Sequence, residues 1–185
     1  MGWEFELLYF LQKLHTPWLD QFLVRITGLS DHGEIWIALA LAFLCFKKSR
    51  KMGIAMIGAM AVSFLAGNVL LKNMIGRSRP CWIDSSVALL IDSPKDYSFP
   101  SGHTLVSFTA SVSIYLQNRR WGVAALLLAV LITFSRLYLF VHFPTDILGG
   151  AVLGIASAFC VNHVMKKWKM LEWQEEGGGQ HDFER

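Results

Sequence analysis

Five apolar stretches, each close to membrane length and separated by short polar segments, constrain this chain more than any other feature. A helix rises about 1.5 Å per residue, so crossing a hydrocarbon core about 30 Å thick takes roughly 20 apolar residues. Residues 52–71 meet that length, with only Ser63 and Asn68 as polar interruptions. Residues 121–143 meet it with Ser135 and Arg136 near one end, and residues 147–165 carry Asn162 and His163 near their last turn. Residues 101–117 are shorter and rich in Ser and Thr, a composition suited to facing other helices. Residues 33–46 are the shortest and need a few residues from 29–32 to cross. Composition agrees: 54% of the chain is hydrophobic and only 17% charged, whereas soluble domains carry about 25% charged residues.

Residues 1–30 follow another pattern. Glu4, Glu6, Lys13, Asp20 and Arg25 interrupt the apolar residues, and Pro17 breaks the segment in two. Leu19, Phe22, Leu23 and Ile26 recur at helical spacing, the mark of a helix lying in the interface. Glu4 and Glu6 precede any lysine, the opposite of a signal peptide's basic start, so this reads as mature sequence. The sequence therefore predicts an all-α, polytopic transmembrane helix bundle. Five spans lie within 31–170, an N-terminal amphipathic, interfacial segment covers 1–30, and a disordered tail covers 171–185. A tilted sixth span through 3–28 is the alternative.

Short-loop cations set the orientation. Lys47, Lys48, Arg50, Lys51, Arg119, Arg120, Lys166, Lys167 and Lys169 fall on one side, which is expected to be cytoplasmic. The 76–100 loop falls on the other, where Arg77, Arg79 and Lys95 are diluted by Asp84, Asp92 and Asp96. A formal charge of +3 without a basic stripe excludes a nucleic-acid partner. Cys45, Cys81 and Cys160 are odd in number and far apart, without the spacing of a disulfide framework or a metal site.

By this topology one end of the bundle collects polar residues that an ordinary membrane core would not keep. Lys72 ends the second span, and Arg79 and Pro80 follow seven and eight residues later. Pro100, Ser101, Gly102 and His103 open the third span; Ser135 and Arg136 close the fourth; His142 follows, and Asp146 opens the fifth. Snorkelling to the interface explains a single Lys72, but not three cations, two histidines and an aspartate converging. The types suit a phosphate. Lys and Arg meet its oxygens, a helix N-terminus at Ser101–Gly102–His103 favours an anion, and two histidines divide nucleophile and acid between them. Asp146, four residues after His142, is placed to fix that imidazole's tautomer.

These residues, eleven identities in order and spacing, resemble the three-part signature of the type 2 phosphatidic acid phosphatase (PAP2) family, whose site is shared with vanadium haloperoxidases. The resemblance runs from about residue 19 to 165. It implies that Lys72, Arg79, Ser101, Gly102 and Arg136 bind phosphate, that His142 is the nucleophile and forms a phosphohistidine, that Asp146 is its partner, and that His103 is the general acid. It implies no metal and no cofactor. Against the family's six-span bacterial members, the chain is expected to lack the helix before the amphipathic segment, leaving open what covers one flank of the site. The stripe of Gly150, Gly154 and Ala158 is a small-residue seam, expected to pack within the chain rather than across a homodimer.

The expected function is a lipid phosphatase at the outer leaflet of the cell membrane. It would act on a phosphomonoester or pyrophosphate of a membrane lipid: phosphatidylglycerophosphate, undecaprenyl pyrophosphate or phosphatidate. A vanadate-dependent haloperoxidase and a non-catalytic lipid-binding protein are the alternatives. The intact His103, His142 and Asp146 argue against the second, because binding alone needs no nucleophile.

Overall fold

The computed structural model describes the backbone of residues 2–177 and the side chains of residues 2–167; these residues are helical with loops and contain no strand. Helices α1 (Trp3–Gln12) and α2 (Pro17–Gly28) form an N-terminal pair, with Pro17 opening α2 where its missing N–H costs no hydrogen bond. α3 (Glu34–Cys45) and α4 (Arg50–Phe64) follow. A π-helical segment (Leu65–Leu71) carries α4 into α5 (Lys72–Ile75), and α6 (Pro80–Ile83) starts the long loop. α7 (Gly102–Tyr115), α8 (Arg119–Tyr138) and α9 (Pro144–Gly177) complete the described residues.

α7 is the hub, packed on α4, α8 and α9. Its Ser107, Thr109, Ser111 and Ser113 are all buried, so the Ser/Thr-rich stretch does face other helices. Trp36 of α3 donates its indole N–H to Ser107 Oγ at 2.9 Å. Small residues let α9 approach: a Cβ on Gly154 would stand 2.6 Å from the Leu105 carbonyl oxygen. The Gly150, Gly154 and Ala158 stripe is thus occupied by α7 of the same chain. The outer faces of the long helices are apolar, with Ile54, Leu127, Val130, Val152 and Phe159 exposed. Such faces belong against lipid.

Among the described residues three stretches are long and apolar enough to cross a membrane, Arg50–Ile83, Arg119–Tyr138 and Pro144–Lys167, while Glu34–Cys45 is apolar but shorter. The described residues form an all-helical membrane bundle. Its N-terminal segment is two helices packed on the bundle: α2 lies along α8, burying Leu23, and α1 buries Leu8 against Tyr138, Phe140 and Phe143. The flank that the sequence left open is covered by α1. The backbone of α9 is helical to Gly177, taking in the first part of the tail expected to be disordered from 171. The remainder, 178–185, lies outside the described residues.

The packing predicts the cost of one added methyl. Gly154→Ala should lower stability by about 1–3 kcal/mol, because a backbone carbonyl cannot swing aside. Val152→Ala, on the exposed face, should change it little. Thermal unfolding in detergent checks both, and an unchanged midpoint for Gly154→Ala would mean that α7 and α9 are not in close contact.

Candidate active site

The site is built at the end of the bundle where α5, the 76–100 loop, the start of α7 and the α8–α9 turn meet. Lys72, Arg79, Gly102, His103, Arg136 and His142 line one cavity of about 950 Å³. Ser101 and Asp146 lie behind that lining, both fully buried. The eight residues singled out in the sequence are therefore brought together, six at the surface of the cavity and two supporting it.

His142 owes its position to a tight turn. α8 ends at Tyr138 and Pro144 opens α9, and between them Phe140 takes a left-handed conformation with φ of 59°. A non-glycine residue there costs about 1–3 kcal/mol. The Phe140 ring is fully buried against Phe5 and Tyr9 of α1, which offsets that cost. Val141 then packs in the apolar cluster beneath α1, and His142 after it lines the cavity.

The tautomer of His142 follows from its neighbours. Arg79 Nη1 donates to the Val141 carbonyl at 2.8 Å and meets His142 Nε2 at 3.0 Å. A guanidinium can only donate, so Nε2 is the acceptor and the ring proton sits on Nδ1. Nδ1 faces Asp146 Oδ2 and Ser98 Oγ, each at 3.5 Å. Asp146 Oδ2 also accepts from Ser98 Oγ at 2.5 Å and from the Phe143 amide at 2.8 Å. The Nε2 lone pair is thereby held by Arg79 at the lining of the cavity, with a carboxylate behind the ring.

Around that lone pair stand three cations. Asp96 bridges two of them, accepting from Lys72 Nζ at 2.5 Å and from Arg79 Nη2 at 2.8 Å. Partial burial pushes the Asp96 carboxyl up, but the Lys72 hydrogen bond and the Arg79 charge outweigh it and hold the pKa at about 2. Arg136 Nη1 donates to Thr27 Oγ1 of α2 at 2.7 Å, while its buried Nε has no protein partner. Such a free, buried N–H suits an anion's oxygen. The first amides of α7 have no intrahelical acceptor, and Ser101 Oγ caps that helix, accepting from Thr104 Oγ1 at 3.1 Å and the Thr104 amide at 3.5 Å. His103 Nε2 lies 3.2 Å from Asp31 Oδ1. In the π-helical segment Asn68 faces the same cavity, its buried Oδ1 also without a partner. Widened turns of this kind recur at functional sites.

Several of these residues were not legible from the sequence. Asp96 counted only as a charge diluting the loop, although it is the carboxylate that joins Lys72 to Arg79. Ser98 lies just ahead of the Pro100 motif and carries no signal of its own in the sequence. Thr27 comes from the N-terminal segment, read as an amphipathic helix, and Asp31 from the few residues, 29–32, read only as extending the first span. Three aspartates matching three cations in the loop that carries the Arg79 motif were the available signal. Among the described residues no cluster of three His, Cys, Asp or Glu could hold a metal ion.

Comparisons with known proteins converge on this region. The family model described as PAP2 superfamily matches residues 49–170. An undecaprenyl-diphosphatase of Sulfolobus acidocaldarius is 35% identical over 157 residues, covering 83% of this chain and 74% of that protein. The undecaprenyl-diphosphatase BcrC of Bacillus subtilis is 30% identical over 145 residues, covering 78% of this chain and 74% of that protein. The crystal structure of Aquifex aeolicus LpxE superposes with a TM-score of 0.77 at 25% identity, covering 88% of this chain and 96% of that one.

Proposed function

The chain belongs to the PAP2 superfamily of membrane lipid phosphatases, and we propose that it hydrolyses its lipid phosphate or pyrophosphate at His142 through a phosphohistidine. One observation carries this reading: His142 Nε2 faces a cavity lined by Lys72, Arg79 and Arg136, while Nδ1 faces the buried Asp146.

Non-bridging oxygens of the entering phosphoryl group are held by Lys72, Arg79, Arg136 and the amides of Gly102 and His103. Ser101 serves indirectly, as the cap that fixes the start of α7. Arg79 transfers its N–H from His142 to the phosphate, which frees the Nε2 lone pair. Nε2 attacks phosphorus in line with the bond to the lipid; the N–P bond forms as the P–O bond breaks. A protonated His103, paired with Asp31, gives its proton to the leaving oxygen, and Asp146 balances the positive charge on the phosphorylated ring. Water then attacks phosphorus and His103 takes its proton. The N–P bond breaks, inorganic phosphate leaves, and His142 is neutral again. The fixed cations neutralise charge that grows on the phosphoryl oxygens, so the cycle needs no metal or cofactor.

Relatives acting as undecaprenyl-diphosphatases favour a polyprenyl diphosphate as substrate, ahead of phosphatidate and phosphatidylglycerophosphate. A site at the rim of a bundle suits such a molecule, since its tail stays in lipid while its head group enters. We place the protein in the cell membrane as a monomer, because the small-residue seam is already filled within the chain. The topology is five spans, α3, α4 to α5, α7, α8 and α9, with the pocket outside.

Replacing the nucleophile tests the chemistry. His142→Ala should abolish turnover, by about 1000-fold or more, because the intermediate cannot form. It should leave binding of inorganic phosphate largely intact, because the three cations remain. Rapid quench of wild type with labelled farnesyl diphosphate should trap acid-labile label on His142. Full activity in the variant, or label on another residue, would overturn the assignment.

Sidedness is tested by introduced thiols, since Cys81 beside the Arg79 motif is buried and makes a poor probe. In a background lacking Cys45, Cys81 and Cys160, Ala88→Cys on the long loop should react with a membrane-impermeant maleimide in intact cells. Lys48→Cys should react only after the membrane is opened. The reverse pattern would put the pocket on the cytoplasmic side.

A further inference from the structure

Arg77 stands two residues before Arg79 yet lines no part of the cavity. Its side chain reaches instead behind His142, to the carboxylate that faces Nδ1. Nη1 donates to Asp146 Oδ1 at 2.7 Å and to Thr145 Oγ1 at 2.6 Å, and Nη2 donates to Glu4 Oε2 at 2.6 Å. The guanidinium carbon lies 4.1 Å from the centroid of the Phe143 ring. Glu4 closes the loop from α1: its Oε1 accepts from Thr145 Oγ1 at 2.7 Å and from the Thr145 amide at 3.2 Å, in the first turn of α9. The backbone takes part too. The Arg77 carbonyl accepts from the Ser98 amide at 2.8 Å, and Ser98 Oγ in turn donates to Asp146 Oδ2.

Both oxygens of Asp146 are thus fixed by groups that Arg77 carries or holds. The carboxylate is fully buried, and a buried charge left without a fixed partner is costly and free to turn. Apart from His142, its remaining direct partners are a serine hydroxyl and a backbone amide, both neutral. Gly76 makes the geometry possible. Its φ of 59° is a left-handed conformation that turns the chain from the end of α5 toward α9.

We propose that Arg77 is a positioning residue for phosphoryl transfer, holding Asp146 so that one oxygen faces His142 Nδ1, and that Glu4 of α1 latches Arg77 in that place. The proposal rests on His142 and Asp146 having the roles given above. It assigns α1 a task in catalysis although α1 contributes nothing to the cavity. Lys72, Arg79 and Arg136 are untouched by this network, so its loss falls on the chemical step and not on phosphate binding. Lysine keeps the charge but cannot bond Asp146 and Glu4 with one planar fork.

The test is steady-state hydrolysis of farnesyl diphosphate in detergent by wild type, Arg77→Gln, Arg77→Lys, Glu4→Gln and His142→Ala. Arg77→Gln should lower kcat by about 10- to 100-fold, the range seen when an orienting partner is removed, with KM within about threefold of wild type. Arg77→Lys should recover part of kcat, and Glu4→Gln should show a smaller loss, again in kcat alone. An inactive His142→Ala beside an Arg77→Gln enzyme with wild-type kcat, or with its loss in KM alone, overturns the inference and spares the nucleophile. An active His142→Ala overturns the nucleophile itself. If Arg77→Gln does not fold, Glu4→Gln decides, because it leaves the arginine in place; wild-type kcat there overturns the latch.

Discussion

Lys72, Arg79 and Arg136 set three positive charges side by side in a cavity at the end of an apolar bundle, where each would repel the others and lose its hydration. Much of the local structure answers that problem. Asp96 reaches down from the loop to bridge Lys72 and Arg79, the Val141 and Tyr97 carbonyls take further N–H groups of Arg79, and Thr27 of α2 takes one from Arg136. What these partners leave unmet is the Arg136 Nε and the amides opening α7. A cavity arranged in this way favours an anion. The donors are set before the reaction begins.

A second layer lies behind the first and works with the opposite sign. Asp146 is buried, backs His142, and is faced by Arg77. The two layers meet at the imidazole, with Arg79 on Nε2 and Asp146 on the Nδ1 side. Both layers draw on the N-terminal helices packed on the bundle. α2 supplies Thr27 and leads to Asp31, and α1 supplies Glu4 and the rings that hold the Phe140 turn.

Lys72, Arg79, His103, Arg136, His142 and Asp146 were legible in the sequence because ionisable side chains at the ends of apolar spans have few structural uses, and Ser101 and Gly102 because their spacing with these matches a known signature. The three longest spans were legible for a related reason: uninterrupted apolar length has one main physical meaning. The shortest apolar helix, Glu34–Cys45, and the Ser/Thr-rich α7 were harder, since length alone does not decide them. Asp96, Ser98 and Arg77 stayed hidden because loop residues carry no periodicity, and a charge there reads as solvated until the fold shows what it faces. Glu4, Thr27 and Asp31 stayed hidden because pairing them with Arg77, Arg136 and His103 spans 73, 109 and 72 residues. No local pattern reports contacts at such separations.

Orthovanadate, which adopts the five-coordinate geometry of phosphoryl transfer, probes both layers at once. The most direct measurement is a structure of the protein with vanadate bound. The account predicts vanadium bonded to His142 Nε2, with its oxygens on Lys72, Arg79, Arg136 and the Gly102 and His103 amides, and Asp146 still on the Nδ1 side of the ring. Vanadate bound to any other residue, or held only by the outer loop and away from His142, would contradict it.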